Sequence, residues 1–522
     1  MKKNSRTKNT IYNFITSVIG QFITILMQFV VRTVFIQTLG KSYLGINGLF
    51  SNILSMLSLA ELGVGSAILF KLYKPLAEND KKRINILIKF YKKVYTIIGI
   101  VITVIGISLI PFLHFIIKDY DKLTTLGINA IFIYSLYLMQ SISSYLFFAY
   151  KSAIVKADQK EYKLNIVSYI FTVLTSIVQI IMLKLISNFE IYVIISVISI
   201  ILQNIVNAIL ANKMYPFIKE KCEEKITKSE VKDIFKDCSA IFLYKINNVV
   251  LKATDNIIIS GILGLEMVGM YSNYYILYTT IKSLFIKVFD SATHSLGNLH
   301  VTDKTNHEYT IFKTVNLIAV ILGATGGIGI FSISNEFIKT WIGEEWMLAQ
   351  PFSLLMGIEV YNLSKRIFLS RYRSAMGLFQ QAKYRPVAGM IINLVVSIAL
   401  VKHLGICGVL IGTLSADYLT ILWYEPLIIY KYGLSGNLKV KEYFQKNIIY
   451  GITACLIGIT MFLTCKYILP EHGWLSIILH TSICSTVTPL VFITLFSNTE
   501  EVKYIKMFLN KILKKVSKNK GA

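Results

Sequence analysis

Leu39-Gly40-Lys41-Ser42-Tyr43-Leu44-Gly45-Ile46-Asn47 is answered 224 residues further on by Leu263-Gly264-Leu265-Glu266-Met267-Val268-Gly269-Met270-Tyr271. Both stretches carry a Leu-Gly step, a second glycine five residues after the first, and an apolar run on either side. The same offset moves the apolar segment starting near 90 onto one near 314, and that near 163 onto one near 387. A chain that repeats itself in one orientation across long apolar segments reads as two like-oriented halves of a membrane protein, with a transport path at their interface.

Working outward, stretches of about twenty apolar residues, enough to cross a hydrocarbon core, recur at 11–37, 43–70, 94–117, 124–150, 164–186, 189–211, 237–262, 267–292, 311–334, 349–370, 386–402, 406–430, 447–469 and 473–497. The reading is therefore an all-α polytopic membrane protein of fourteen spans: two six-helix lobes and two further helices. Its divisions are an N-terminal lobe (1–211), a cytoplasmic linker (212–236), a C-terminal lobe (237–430), and a last pair of spans with a basic tail (431–522).

Charge gives the orientation. With the N-terminus placed in the cytoplasm, the inside segments hold 41 of the 54 Lys and Arg residues and the outside loops hold seven, as the positive-inside rule requires. Both termini are then cytoplasmic and the chain is multi-pass. The formal net charge of +25 is mostly topology and attraction to anionic membrane lipid, so nucleic acid is not an expected partner. The tail from Lys503 to Lys520 reads as an amphipathic helix lying on the inner leaflet. A cleaved signal peptide is not expected, because the first apolar stretch is too long for one. Six cysteines without CxxC spacing and seven histidines without ligand spacing argue against a disulfide framework and against a metal site.

Leu39-Gly40 through Gly45-Ile46-Asn47-Gly48-Leu49-Phe50, then Leu59-Ala60-Glu61-Leu62-Gly63-Val64-Gly65-Ser66-Ala67, Asp255-Asn256-Ile257-Ile258-Ile259-Ser260 and Val268-Gly269-Met270-Tyr271-Ser272 resemble the bacterial O-antigen and capsular polysaccharide repeat-unit flippases. These belong to the multidrug/oligosaccharidyl-lipid/polysaccharide (MOP) exporter superfamily. The resemblance covers essentially the whole chain. It implies a MATE-like fold and export of an undecaprenyl-diphosphate-linked oligosaccharide across the bacterial cytoplasmic membrane, through a cationic cavity between lobes that open alternately. It also implies membrane lipids as surroundings and a polysaccharide polymerase as a downstream partner. A multidrug or cation antiporter and a cell-wall lipid precursor flippase of the same superfamily are the alternatives.

Independently of that resemblance, ionisable residues at bilayer depth need explaining, since each costs roughly 2.5–3.5 kcal/mol near a helix centre. Span seven carries Lys245, Lys252 and Asp255, and span eight carries Lys282, Lys287 and Asp290. Lys252 and Lys282, near mid-membrane, are expected to bind an anionic diphosphate or acidic sugars, with Lys245 and Lys287 leading the headgroup in. Alternatively, Lys252–Asp255 and Lys287–Asp290 are i, i+3 pairs that merely neutralise one another. Arg32, toward the outer end of span one, either closes the lumen or snorkels to headgroups. Glu61, Glu359, Asp417 and Glu425 must find cations on other helices or serve as protonatable coupling sites.

No cofactor is expected. Gly40-Lys41-Ser42 lacks the first glycine of a phosphate loop, since Phe35 stands there, so ATP is not the expected energy source, which is instead a proton or sodium gradient, the membrane potential or downstream consumption of the product. An enzyme such as a polymerase is not expected, because no outside loop is long enough to carry an active site.

Overall fold

The computed structural model describes residues 3–57, 64–118, 120, 123, 128–220, 226–227, 229–231, 254–302, 306–378, 380–434, 439–468 and 473–507. Among them there is no strand. In chain order the long helices are α1 (Lys3–Leu39), α2 (Lys41–Leu57), α3 (Val64–Glu78), α4 (Lys81–Leu109), α5 (Ala130–Leu146), α6 (Glu161–Ile186), α7 (Phe189–Met214), α8 (Leu265–Thr302), α9 (Asn306–Ile342), α10 (Gln350–Ala375), α11 (Arg385–Leu404), α12 (Ile406–Gly433), α13 (Val440–Ile468) and α14 (Trp474–Leu495). All of the expected spans but the seventh, most of which lies outside the described residues, have a helix in their place.

Nine of the described helices are long and apolar enough to cross a membrane, or ten if the bent pair Ala130–Leu146 and Ala149–Ala157 is one span. That pair turns by 41° at Phe148, whose φ of 59° lies in the left-handed region. The protein is a multi-pass membrane protein.

Side chains sort as a bilayer demands. On α6, Ile170, Leu174, Ile177 and Ile181 form an exposed stripe at helical spacing, while Ser176 and Gln179 are buried. Apolar outside and polar inside reverses the pattern of a water-soluble helix. The buried Gln179 amide donates to the Tyr192 carbonyl at 3.1 Å and to Ser196 Oγ at 2.8 Å on α7. In hydrocarbon no water is present to take those bonds.

The chain forms two compact units, Met1–Gly269 and Met270–Ala522. In the first, α1 packs on α6, α4 on α5, and α7 on both α5 and α6. A Cβ on Gly45 would fall 2.0 Å from the Leu265 carbonyl oxygen, and one on Gly269 would fall 2.6 Å from that of Lys41. Positions 265 and 269 are 41 and 45 moved on by the repeat of 224. One contact is therefore made twice with its roles exchanged, as about a two-fold axis. This is why the glycines recur in the sequence: only a residue without Cβ lets the two turns meet.

In the second unit, α9 packs on α10, α13 and α14, and α11 packs on α12. A Cβ on Gly327 would lie 2.5 Å from the Gly357 carbonyl oxygen, and one on Gly357 would lie 2.6 Å from that of Gly327. The small faces of α9 and α10 thus bring their backbones into contact. Leu317, Val320, Tyr450, Phe492 and Val502 join α9, α13, α14 and the segment after α14 in one apolar core.

Candidate functional site

The sequence of α10 sets the geometry. Pro351 starts the helix, where its missing N–H costs nothing, and Gly377, at φ 72°, follows its end. Between them Glu359, Arg366 and Arg373 stand seven residues apart, so all three share one face. That face meets α12, a helix interrupted by two π-turns, Asp417–Ile421 and Ile429–Gly433, with Pro426 between them. A π-turn widens the helix by one residue and recurs at functional positions. Here the first one begins at Asp417.

Two ion-pair groups result. In the first, Arg366 bridges two carboxylates, with Nη2 at 2.7 Å from Glu359 Oε1 and Nη1 at 2.5 Å from Asp417 Oδ2. Tyr278 of α8 donates its hydroxyl to the same Glu359 oxygen at 3.0 Å and accepts from Arg366 Nη2 at 3.2 Å. The second Glu359 oxygen, Oε2, is buried without a hydrogen-bond donor. The Lys282 ammonium, one turn along α8, lies 6.0 Å from the centre of the Tyr278 ring, and Tyr275 stacks on that ring at 5.5 Å.

In the second group Arg373 and Glu425 are closed off, with 2% and 0% of their side chains exposed and Nε at 2.8 Å from Oε2. Arg373 Nη1 also donates to the Leu378 carbonyl at 3.0 Å. Arg385, at the start of α11, stands 3.1 Å from Glu425 Oε1, in ion-pair range but without hydrogen-bond alignment.

The two groups differ in chemical capacity. Around Glu425 two guanidiniums face one closed-off carboxylate, and that group is a strut. Around Arg366 two carboxylates face one guanidinium, and one of them keeps an unfilled oxygen. Such a site can accept a proton or a second cation, and Lys282 is the cation beside it.

Of the residues expected from sequence, Lys282, Glu359 and Asp417 are brought together here and Glu425 joins the second group. Lys287 is exposed on α8. Arg32 is half-buried in the first unit, within electrostatic reach of Tyr192. Asp255 is half-buried in the same unit. Lys245, Lys252 and Glu61 lie outside the described residues, as does the side chain of Asp290.

Ending the tenth span at 370 leaves Arg373 and Arg385 in a cytoplasmic loop; the structure corrects this. The tenth span does not stop near 370 but continues as helix to Ala375, and the arginines are paired inside the bundle. The signal was present in the seven-residue spacing of Glu359, Arg366 and Arg373, which a hydropathy window cannot see.

A profile of the family described as polysaccharide biosynthesis protein matches residues 39–351. No curated protein matches the chain. Among solved structures, the lipid II flippase MurJ in an inward closed conformation is similar with a TM-score of 0.65 at 15% identity, over 93% of this chain and 99% of that one. An inward-facing multidrug resistance MATE family transporter of the MOP superfamily gives 0.61 at 14%, over 78% and 95%. A MOP superfamily transporter from Pyrococcus furiosus, described by the reverse polarity of its binding pocket, gives 0.52 at 14%, over 81% and 96%. The fold is that of the MOP-superfamily transporters, and with its profile running from the end of α1 into α10, the chain belongs to the polysaccharide biosynthesis protein family.

Proposed function

We propose that the protein is a flippase carrying an undecaprenyl-diphosphate-linked oligosaccharide from the inner to the outer leaflet of the bacterial cytoplasmic membrane, for assembly of a surface polysaccharide. The observation that carries this reading is the family match over residues 39–351, a range that contains Lys245, Lys252, Lys282 and Lys287. Likeness to MurJ, whose name gives it a lipid cargo, supports the same class of substrate.

In this reading a diphosphate entering the bilayer meets the desolvation cost of any buried ion, and fixed cations at depth offset it. Lys252 and Lys282 bind the headgroup, Lys245 and Lys287 lead it inward, and Arg32 closes the outer side. Lobes opening in alternation then release it outside, and a polymerase consumes the product. Glu359 and Asp417 are the coupling carboxylates: taking up a proton or sodium ion at this pair loosens Arg366 and alters how α10 holds α12. Glu61, Asp255 and Asp290 serve as further partners for lumen cations. Both termini face the cytoplasm.

The test is Lys282→Ala, scored by surface polysaccharide and by lipid-linked repeat units left on the cytoplasmic face, with protein level measured alongside. Losing about 2 kcal/mol of headgroup stabilisation lowers export roughly 30-fold. Lys282→Arg retains part of it and Lys282→Gln does not. Normal export by Lys282→Gln at normal protein level refutes the assignment of Lys282. Transport of an amphiphilic cation instead of a diphosphate lipid by reconstituted protein refutes the substrate class and favours the antiporter.

A further inference from the structure

Lys365 stands beside Arg366 on α10 and shares none of its partners. It is half-buried in a membrane helix, where an ammonium group is costly without an anion. The carboxylates of the neighbouring group, Glu359 and Asp417, are both turned to Arg366. Among the described residues the one polar or aromatic group that Lys365 meets is the ring of Tyr361, whose centre lies 5.3 Å from Nζ. Tyr361 is one turn back along α10, so the lysine runs toward the middle of the helix instead of snorkelling to the nearer end. The Tyr361 hydroxyl is buried and likewise has no hydrogen-bond partner. An ammonium offers donors only, and the phenol has a proton to give, so the pair calls for an anionic acceptor.

Tyr361 also marks where that acceptor comes from. It lies within electrostatic reach of Tyr418 on α12 and Cys455 on α13, and a Cβ on Gly451 of α13 would meet only its hydroxyl, at 3.9 Å. Ile448, Gly451 and Cys455 share one face of α13, and Ile448, Cys455 and Tyr418 are exposed. A groove therefore opens to the lipid between α12 and α13, with Tyr361 and Lys365 on its floor and no side chain at 451 to fill it. The apolar stretch of α13 begins at 447, one turn from Gly451, which puts the floor near headgroup depth. Apolar walls at that depth cover the chains of an amphiphile and give a free phosphate ion nothing.

We propose that this groove binds an anionic phospholipid, its phosphate paired with the Lys365 ammonium and accepting from the Tyr361 hydroxyl while its chains lie along Tyr418 and Ile448. Basic pockets between membrane helices hold lipid headgroups in this way. The inference rests neither on the cargo proposed above nor on the Arg366 group.

Alkylation of Cys455 by N-ethylmaleimide, followed by mass spectrometry on the full-length protein in mixed micelles, reads occupancy of the groove. Phosphatidylglycerol slows it about fivefold relative to phosphatidylcholine, the effect of one lysine on one anionic headgroup, while Cys407, at the start of α12, shows no such difference. Lys365→Gln abolishes the difference and Lys365→Arg keeps it. Because no carboxylate depends on Lys365, Lys365→Gln melts no lower than the unaltered protein in phosphatidylcholine; a lower melting point reveals a counter-ion within the protein and overturns the proposal. A difference that persists in Lys365→Gln, or none in the unaltered protein, also overturns it. Undecaprenyl phosphate separates the two sources of a lipid phosphate. If it protects Cys455 at about a tenth of the phosphatidylglycerol concentration, the groove is a station for the carrier lipid and the phospholipid assignment falls; protection only at similar or higher concentration supports it.

Discussion

The two compact units are built by different chemistry. Among the described residues of the first, the polar contacts between membrane helices are mostly neutral: Tyr137 with Asn47, Thr175 with Ser199, Gln179 with Ser196, and the Tyr134 hydroxyl on the Gly106 carbonyl at 2.9 Å, while a buried carboxylate, Asp158, meets Tyr215 and Lys160. In the second, α10 and α12 are joined by full charges at Arg366–Asp417 and Arg373–Glu425. Neutral bonds cost little to bury and little to lose, whereas a buried charge is tolerated only while its partner stays in place. The membrane helices of one unit are joined mostly by packing and neutral bonds, and those of the other contain joints that a proton or an ion can loosen.

That contrast is broken most severely at Arg373. Removing one member of a closed ion pair leaves the other uncompensated, at about 3–5 kcal/mol, so Arg373→Ala should abolish folded protein in detergent, as read by size-exclusion profile and thermal melting. Arg373→Met combined with Glu425→Gln should recover most of it. If the single variant melts as the unaltered protein does, the second unit is not held by charge.

A smaller effect on folding and a larger one on transport are expected at Arg366, whose side chain is 20% exposed. Arg366→Ala should fold, because water or a proton can reach the freed carboxylates, but should lose export at least tenfold. Asp417→Asn in the same chain should restore thermal stability without restoring export. Equal recovery of both would make the Arg366 group a strut like its neighbour. In the first unit the corresponding test is steric: Gly45→Ala places a Cβ 2.0 Å from a backbone oxygen, and such overpacking costs typically about 1–3 kcal/mol. A melting point unchanged by Gly45→Ala would mean that the turns at 45 and 265 separate easily.

How much of this was legible beforehand follows the same contrast. Apolar helices such as α6 and α7 announce themselves by hydropathy, and the glycines at 45 and 269 announce the repeat. Helices α8 and α10 are absent from the set apolar enough to cross a membrane by composition, because Lys282, Glu359 and Arg366 dilute them. Two of the three helices that carry the candidate site are thus read poorly by a hydropathy window, whereas α12 passes it. Glu359 and Asp417 were recognisable as buried carboxylates in need of partners. Arg366 was not recognisable as the partner, because pairing across 51 positions of sequence is set by how α10 packs on α12, and a local pattern contains nothing of that packing.

The smallest expected effect lies at the edge of the second unit, where Lys313 meets Glu500 at 2.6 Å with the carboxylate side chain 70% exposed. Such a pair is worth under about 1 kcal/mol, so Lys313→Gln should barely move the melting point. Its mark should appear instead in pH dependence. The hydrogen bond from Lys313, followed by that residue's charge, holds Glu500 below the ordinary carboxylate value of 4.5. A depressed carboxylate stabilises the folded form above its unfolded pKa, and that contribution is lost as pH falls through the lower folded value. Exchange protection of residues 500–507, corrected for the intrinsic pH dependence of amide exchange, should therefore stay level from pH 7 to about pH 5 and decline below about pH 4.5. Lys313→Gln should flatten part of that decline, leaving most of the share due to Glu501, whose burial is outweighed only by the hydrogen bond and charge of Lys446, a backbone hydrogen bond and the charge of Lys313 taken together. Protection that falls between pH 7 and pH 5 would point to a different titrating group, and protection that rises on acidification would reverse the sign assigned to the pair.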